Sequence, residues 1–132
     1  MAITPVKELV AKARSKIATM PVRDAIEHLN DPDILFVDIR DIRELEREGR
    51  IPGAFHAPRG MLEFWIDPQS PYHKPALSSG KRMVFFCASA WRSALTVNAL
   101  MDMGVENICD LEGGFSAWRE AGGTIVKPDV KD

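Results

Sequence analysis

Two hydrophobic patterns alternate along the chain, and together they predict an α/β domain. Short segments rich in apolar residues, typical of strands buried in a sheet, occur at residues 34–38, 54–57, 83–86 and 107–111. The segments around these runs have helical character, which predicts helices over residues 5–18, 21–29, 41–48, 61–66, 93–103 and 115–121. Because strands and helices alternate, we expect a doubly wound, mostly parallel sheet with helices on both faces.

The first helix lies outside this alternating pattern, which divides the chain into three predicted parts. Residues 1–19 form an N-terminal helical extension that packs on the edge of the domain or contacts a partner. Residues 20–123 form the domain itself, and residues 124–132 form a C-terminal tail. The longest loop-like segment, residues 67–80, is a second candidate docking surface, since long loops in compact domains tend to be functional or mobile.

The composition is that of an ordinary soluble domain. Of the 132 residues, 45% are hydrophobic and 27% charged, and the net charge of −2 predicts no broad attraction to nucleic acid or to membranes. The chain has neither an apolar stretch of membrane-spanning length nor a signal-peptide core, so we expect a cytoplasmic protein. Cys87 and Cys109 make no disulfide framework, and the cysteines and histidines lack metal-ligand spacing, so neither metal nor cofactor is expected.

The candidate chemistry is concentrated in residues 83–93. An apolar strand leads into Cys87, and a helix follows after a short loop, so the thiol lies at the mouth of that loop. The loop N–H groups and the positive end of the helix dipole favour a thiolate, which is the nucleophilic form of cysteine. An isolated cysteine after a strand is more often a buried core residue, and this alternative stays open for Cys87.

The residues that follow the cysteine favour a nucleophile. Ala88, Ser89 and Ala90 are small, so the backbone can curl tightly around an anion. Arg92 brings a fixed positive charge, and Ser93 is a candidate N-cap of the helix. Together these residues predict an anion-binding cradle around a thiolate.

Other charged residues are expected at the same edge of the sheet. Parallel strands end at one edge, and ligands bind there in folds of this class. Asp38 ends the strand at 34–38, and Arg59 follows the short strand at 54–57. The fold would therefore bring these residues, which are distant in sequence, towards Cys87.

Three separate motifs resemble those of single-domain rhodaneses. In chain order they are Val-Asp-Ile-Arg at 37–40 with Glu44 and Gly-Arg-Ile-Pro-Gly-Ala at 49–54, then Cys-Ala-Ser-Ala-Trp-Arg-Ser at 87–93, and Leu-Glu-Gly-Gly-Phe-Ser-Ala-Trp at 111–118. The second of these is similar to the family's active-site loop. The resemblance covers about residues 20–123 and implies a rhodanese-like fold for the predicted domain.

Two residues depart from the family's pattern. Arg50 stands where the family usually has histidine, which we interpret as a surface change. Ala90 stands where many members have glycine, and if this position needs a positive φ the alanine is strained. The second departure concerns the shape of the loop and leaves the nucleophile in place.

The resemblance implies sulfur transfer. The Cys87 thiolate attacks the outer sulfur of a small anionic donor such as thiosulfate, and the enzyme then carries a persulfide. That sulfur passes to cyanide or to a thiol, either a small molecule or a protein. The amides of residues 88–92 stabilise the persulfide, and Arg92 either attracts the donor or pairs with a carboxylate.

The remaining candidate residues have supporting roles in this interpretation. Asp38 and Arg40 form a charge pair that we expect to hold loops together, with no part in the chemistry. Arg59 is a weaker candidate that could reach the same edge of the sheet. Trp91 either packs or forms a wall of the pocket, and Cys109 lies mid-strand as inert core.

Two other classes of function compete with sulfur transfer. Cysteine-dependent phosphatases and arsenate reductases also hold a thiolate in an amide cradle closed by arginine, but phosphatases have five residues between the two. Four residues separate Cys87 from Arg92, and a smaller ring suits a sulfane sulfur better than a tetrahedral phosphate. A non-catalytic binding module or redox sensor is the other alternative, which the presence of the cysteine disfavours.

Overall fold

The sheet of this protein has five parallel strands within residues 2–128. The computed structural model describes residues 2–128, so the last four residues of the predicted C-terminal tail lie outside the described part. The strands are β1 (Thr19–Met20), β2 (Ile34–Asp38), β3 (Phe55–His56), β4 (Arg82–Phe86) and β5 (Ile108–Leu111), in the spatial order β1-β5-β4-β2-β3. All four neighbouring pairs are parallel, which confirms the predicted α/β architecture. Strand β1 was not predicted, because two residues are too few to show an alternating pattern.

Within the described residues, six α-helices accompany the sheet. They are α1 (Val6–Arg14), α2 (Val22–Glu27), α3 (Ile42–Glu48), α4 (Leu62–Ile66), α5 (Trp91–Asp102) and α6 (Gly114–Glu120). Each lies within a segment predicted to be helical or extends it by two residues or fewer. The predicted loop at 67–80 contains one 3₁₀ turn, Pro75–Ser78. Within the described residues, no helix combines the length and hydrophobicity needed to span a membrane.

Helices cover both faces of the sheet because successive strand residues point to opposite sides. On one face, Phe85 of β4 belongs to a cluster with Leu62 of α4 and Val97 of α5. On the other face, Phe86 belongs to a cluster with Trp118 of α6. The loop that follows β4 therefore starts from a strand buried on both sides.

Helix α1 packs directly on the rest of the protein. Val10 and Ala13 of α1 form a small buried cluster with Ala94 of α5. The outer face of α1 keeps large apolar side chains exposed, including Val6 and Leu9. The division of the chain at residues 19 and 123 stays a prediction.

A buried ion pair closes the carboxyl end of β2. Arg40 is fully buried, and its Nη2 donates to Asp38 Oδ2 at 2.8 Å and to the carbonyl oxygen of Gly49 at 2.9 Å. The guanidinium also lies over the ring of Phe115, 4.1 Å from its centroid. These contacts join β2, the end of α3 and α6, and they agree with the loop-holding role predicted for Asp38 and Arg40.

We expect Asp38→Ala to lower the free energy of unfolding by about 3 to 5 kcal/mol, because it leaves the Arg40 charge buried without its partner. Urea denaturation of the purified protein measures this change. Asp33→Ala is the matched control, since Asp33 is exposed and its substitution should change stability by less than about 0.5 kcal/mol. Equal stability losses in the two variants would contradict the structural role of the pair.

Candidate active site

Cys87 occupies the first position after β4, at the carboxyl edge of the sheet. The loop is short, because α5 begins at Trp91. Cys87 is only 1% exposed and belongs to the apolar cluster on one face of the sheet. Burial alone would therefore fit an inert core residue. Whether Cys87 is instead a nucleophile depends on the backbone and the charges around its sulfur.

Ala90 makes the turn from the loop into α5. Its φ of 74° and ψ of 5° are left-handed, and it occupies the N-cap position of the helix. The left-handed conformation costs a residue with a Cβ roughly 1 to 2 kcal/mol. The strain expected of an alanine at a position with positive φ is therefore present.

Ser93 is not the N-cap of α5, and the sequence-based assignment was wrong. It lies inside the first turn of the helix, fully buried, and its Oγ donates to Asp110 Oδ2 at 3.0 Å. The preference of serine for N-caps suggested the assignment. The helix starts earlier because Ala90 already makes the required turn.

Three carbonyl groups of the loop are held by donors on other elements. The Phe115 N–H donates to the carbonyl of Cys87 at 2.8 Å, and the Ser116 N–H donates to that of Ala88 at 3.1 Å. The carbonyl of Ala90 accepts from Arg14 Nη2 at 2.7 Å.

These anchors set the direction of the loop amides. In a trans peptide the N–H points opposite to the carbonyl of the same unit, so the N–H groups of residues 88, 89 and 91 are turned away from the anchoring elements. Within residues 2–128, the backbone N–H groups of residues 88–93 donate no hydrogen bond to the protein. The loop therefore offers a set of N–H donors suited to an anion.

Gly114 allows α6 to approach the loop this closely. Its φ is 64°, and a Cβ at this position would lie 2.5 Å from the carbonyl oxygen of Cys87. Any larger residue would push α6 away from the carbonyls that it anchors. Gly114 thus has a role in packing besides its place at the start of α6.

Arg92 is held by a carboxylate. Its Nη1 and Nη2 donate to the two oxygens of Glu44 at 2.8 and 2.9 Å, which is the second of the two roles predicted for this arginine. The hydrogen bond from Arg92 lowers the pKa of Glu44 to about 2. The pKa of Arg92 is raised, first by Glu44 and further by the neighbouring Cys87 sulfur. A fixed cation thus lies near the cysteine.

Helix α3 positions Glu44 for this contact. The Asp41 side chain accepts the Arg43 N–H at 2.9 Å, while Glu44 Oε2 accepts the Asp41 N–H at 2.9 Å, which is a capping box. Glu44 belongs to the first quoted motif but was not assigned to the site. The Asp-x-x-Glu pattern before the helix is the feature that could have located it.

A buried carboxylate, which the sequence analysis missed, lies behind the loop. Asp110 is fully buried, and it accepts hydrogen bonds from Ser93, Thr19 and Arg14. Arg14 reaches it from α1, 96 positions away in sequence. No local motif connects these residues.

The remaining predicted site residues have other neighbours. Arg59 lies at the carboxyl edge of the sheet, but its side chain pairs with Glu63 at 2.7 Å. Trp91 is 49% exposed and borders a surface cavity of about 410 Å³ together with Ser89 and Arg14. Which of its two predicted roles Trp91 has, packing or forming a wall of the pocket, stays a prediction.

The second cysteine and the acidic residues form no metal site in the described part of the chain. Cys109 is buried within β5, and burial raises the pKa of its thiol. Among residues 2–128, no group of three or more His, Cys, Asp or Glu side chains is arranged to hold a metal ion.

Comparison with known proteins gives consistent relatives. The model of the rhodanese-like domain matches residues 22–121. A sulfurtransferase of Allochromatium vinosum is 31% identical over 97 residues, which cover 74% of this chain and 82% of that protein. This chain spans only 52% and 60% of the length of two further curated relatives.

Two solved structures are similar along most of their length. The polysulfide-sulfur transferase homodimer of Wolinella succinogenes is 30% identical with a TM-score of 0.69, over 93% of this chain and 88% of that one. A Rhodopseudomonas palustris protein of unknown function, described as a possible tyrosine phosphatase, is 48% identical with a TM-score of 0.91, over 96% of this chain and 97% of that one.

We expect Glu44→Gln to lower the free energy of unfolding at neutral pH by about 1 to 2 kcal/mol. The side chain of Arg92 is 42% exposed, so solvent weakens the pair. Because the native pKa of Glu44 is lowered from 4.5 to about 2, the difference from the wild type is complete above about pH 4.5 and shrinks as the pH falls towards 2.

Urea denaturation at several pH values measures this dependence. Glu46→Gln, on the exposed side of the same helix, is the matched control and should show no such pH dependence. A stability difference that grows as the pH falls would contradict the assignment.

Proposed function

Because this chain belongs to the rhodanese-like family and is similar to a sulfurtransferase, we propose that it transfers sulfane sulfur through a persulfide on Cys87. The observation that carries this proposal is the set of outward-held carbonyls and unpaired N–H groups in the loop that starts at Cys87. Such a cradle stabilises a negative sulfur without a titrating partner.

The first half-reaction loads the cysteine. The Cys87 thiolate attacks the outer sulfur of thiosulfate, and a bond forms between the two sulfur atoms. The S–S bond of thiosulfate breaks, and its electron pair leaves with sulfite. The negative charge now resides on the terminal sulfur of the persulfide, where the N–H groups of residues 88–93 stabilise it.

The second half-reaction unloads it. Cyanide or a thiolate attacks the terminal sulfur, and the bond between this sulfur and Cys87 breaks. The electron pair returns to Cys87, which regenerates the thiolate, while thiocyanate or a new persulfide leaves. A cytoplasmic setting, which we propose with this activity, would supply low-molecular-weight and protein thiols as acceptors.

The burial of Cys87 restricts what can react. A cysteine that is 1% exposed admits a narrow group such as the terminal sulfur of a small donor. The oxygens of an anionic donor would remain at the mouth of the loop, near Arg92 and the N–H donors. This geometry favours small anionic donors over bulky ones.

Phosphate-ester hydrolysis is the second candidate, because of the similar Rhodopseudomonas palustris protein described as a possible tyrosine phosphatase. Two features of this chain weigh against it. Four residues separate Cys87 from Arg92, which leaves a smaller ring than the phosphatase loop. Both terminal nitrogens of Arg92 already donate to Glu44, so fewer donors are available to clamp a phosphoryl group.

We expect the protein to gain one sulfur atom when it is treated with thiosulfate, as measured by intact mass. Cys87→Ala should abolish the gain, whereas Cys109→Ala should keep it, since Cys109 is sealed within β5. Cyanide should remove the added sulfur and release thiocyanate, which a colorimetric assay detects.

Two outcomes would overturn the proposal. The first is a Cys87 that gains no sulfur from thiosulfate and none from polysulfide. The second is hydrolysis of p-nitrophenyl phosphate that requires Cys87 and exceeds the rate of sulfur transfer, which would favour the phosphatase alternative.

A further inference from the structure

One residue from the N-terminal helix reaches the candidate active-site loop. Arg14, at the end of α1 and outside the segment that matches the family model, donates from Nη2 to the carbonyl oxygen of Ala90 at 2.7 Å. This contact joins positions 76 residues apart. It is the shortest of the three hydrogen bonds described above that anchor loop carbonyls.

We propose that Arg14 is a positioning residue that holds the left-handed turn at Ala90 and so orients the N–H donors around Cys87. The inference deepens the proposed sulfur transfer and rests on it for its kinetic test. The effect of Arg14 on the backbone can be measured whether or not the protein transfers sulfur.

The guanidinium of Arg14 is itself held in place by two side chains, the buried Asp110 and the exposed Thr19. Its Nη2 also donates to Asp110 Oδ2 at 2.9 Å, while Nη1 donates to Asp110 Oδ1 at 3.3 Å and to Thr19 Oγ1 at 3.0 Å. Asp110 is fully buried, so this carboxylate is a rigid support. The planar fork of arginine is required to reach the carboxylate and the loop carbonyl together.

Ala90 needs this support more than its neighbours do. Its φ of 74° is disfavoured for any residue with a Cβ, so without a restraint the backbone would relax towards negative φ. The carbonyls of Cys87 and Ala88 are held by backbone N–H groups of α6. Within the described part of the chain, the carbonyl of Ala90 accepts one other hydrogen bond besides that from Arg14, a longer helical bond from the Ala94 N–H at 3.3 Å.

The direction of one N–H donor depends on this carbonyl. Ala90 C=O and Trp91 N–H belong to the same peptide unit and point in opposite directions. When Arg14 draws the carbonyl towards α1, the Trp91 N–H is turned away from α1. Loss of Arg14 therefore removes an anchor of the N–H cradle without removing any group that reacts.

The test is a double-mutant cycle between Arg14 and Ala90. Arg14→Met keeps the aliphatic length of the side chain and removes the donors. We expect it to lower kcat for sulfur transfer from thiosulfate to cyanide about tenfold, the usual scale for loss of a charged hydrogen bond, with little change in KM.

Glycine at position 90 should weaken this dependence, because glycine adopts positive φ without steric strain. In the Ala90→Gly background, we therefore expect Arg14→Met to lower kcat by no more than about threefold, since the strain that Arg14 opposes is gone. A role confined to packing α1 or neutralising Asp110 predicts the same loss in both backgrounds. Lys12→Met, in the exposed last turn of the same helix, controls for the loss of a positive charge.

Backbone chemical shifts of residues 88–91, recorded by nuclear magnetic resonance on the same proteins, give a readout that needs no turnover. We expect Arg14→Met to move the φ of Ala90 away from its left-handed value. Unchanged shifts and unchanged kcat would overturn the role of Arg14. An increase in KM with constant kcat would also overturn it, since Arg14 would then bind the donor. A wild type that transfers no sulfur, but whose loop shifts respond to Arg14→Met, would refute the proposed function alone.

Discussion

The direction of three backbone carbonyl groups is the constraint on which the candidate site depends. An N–H cradle for an anion requires that the carbonyls of the same loop point elsewhere and find donors there. Helix α6 supplies two of these donors through its first turn, and Arg14 of α1 supplies the third. The packing of α1 and α6 against the sheet therefore determines how the loop faces its ligand.

Charge at the site is arranged in fixed pairs. Glu44 holds Arg92 on both terminal nitrogens, and the capping box of α3 holds Glu44 in turn. Because Glu44 fixes its guanidinium, Arg92 keeps its positive charge at one position near Cys87. Affinity for a small anion can then come mainly from neutral amides, which is compatible with the overall net charge of −2.

The fold could be predicted because it depends on patterns that lie within short segments. Strands buried on both faces leave unbroken apolar runs, so β2 and β4 were found within a residue of their ends. Features of the site that depend on tertiary contacts produce no such local sequence pattern. Ser93 was misplaced because its preference for N-caps is local, while the turn is set by Ala90 and its distant anchors. The pairing of Arg14 with Asp110 spans 96 positions and follows no motif.

The left-handed conformation of Ala90 depends on the N-terminal helix. A glycine there would adopt the positive φ freely, but it would also reach many other conformations and leave the loop less ordered. Alanine restricts the backbone conformations open to residue 90, but it is strained in the one that the site needs. Arg14 opposes the strain from a helix that lies outside the family match. The N-terminal extension and the loop therefore act together, even though the sequence pattern separates them.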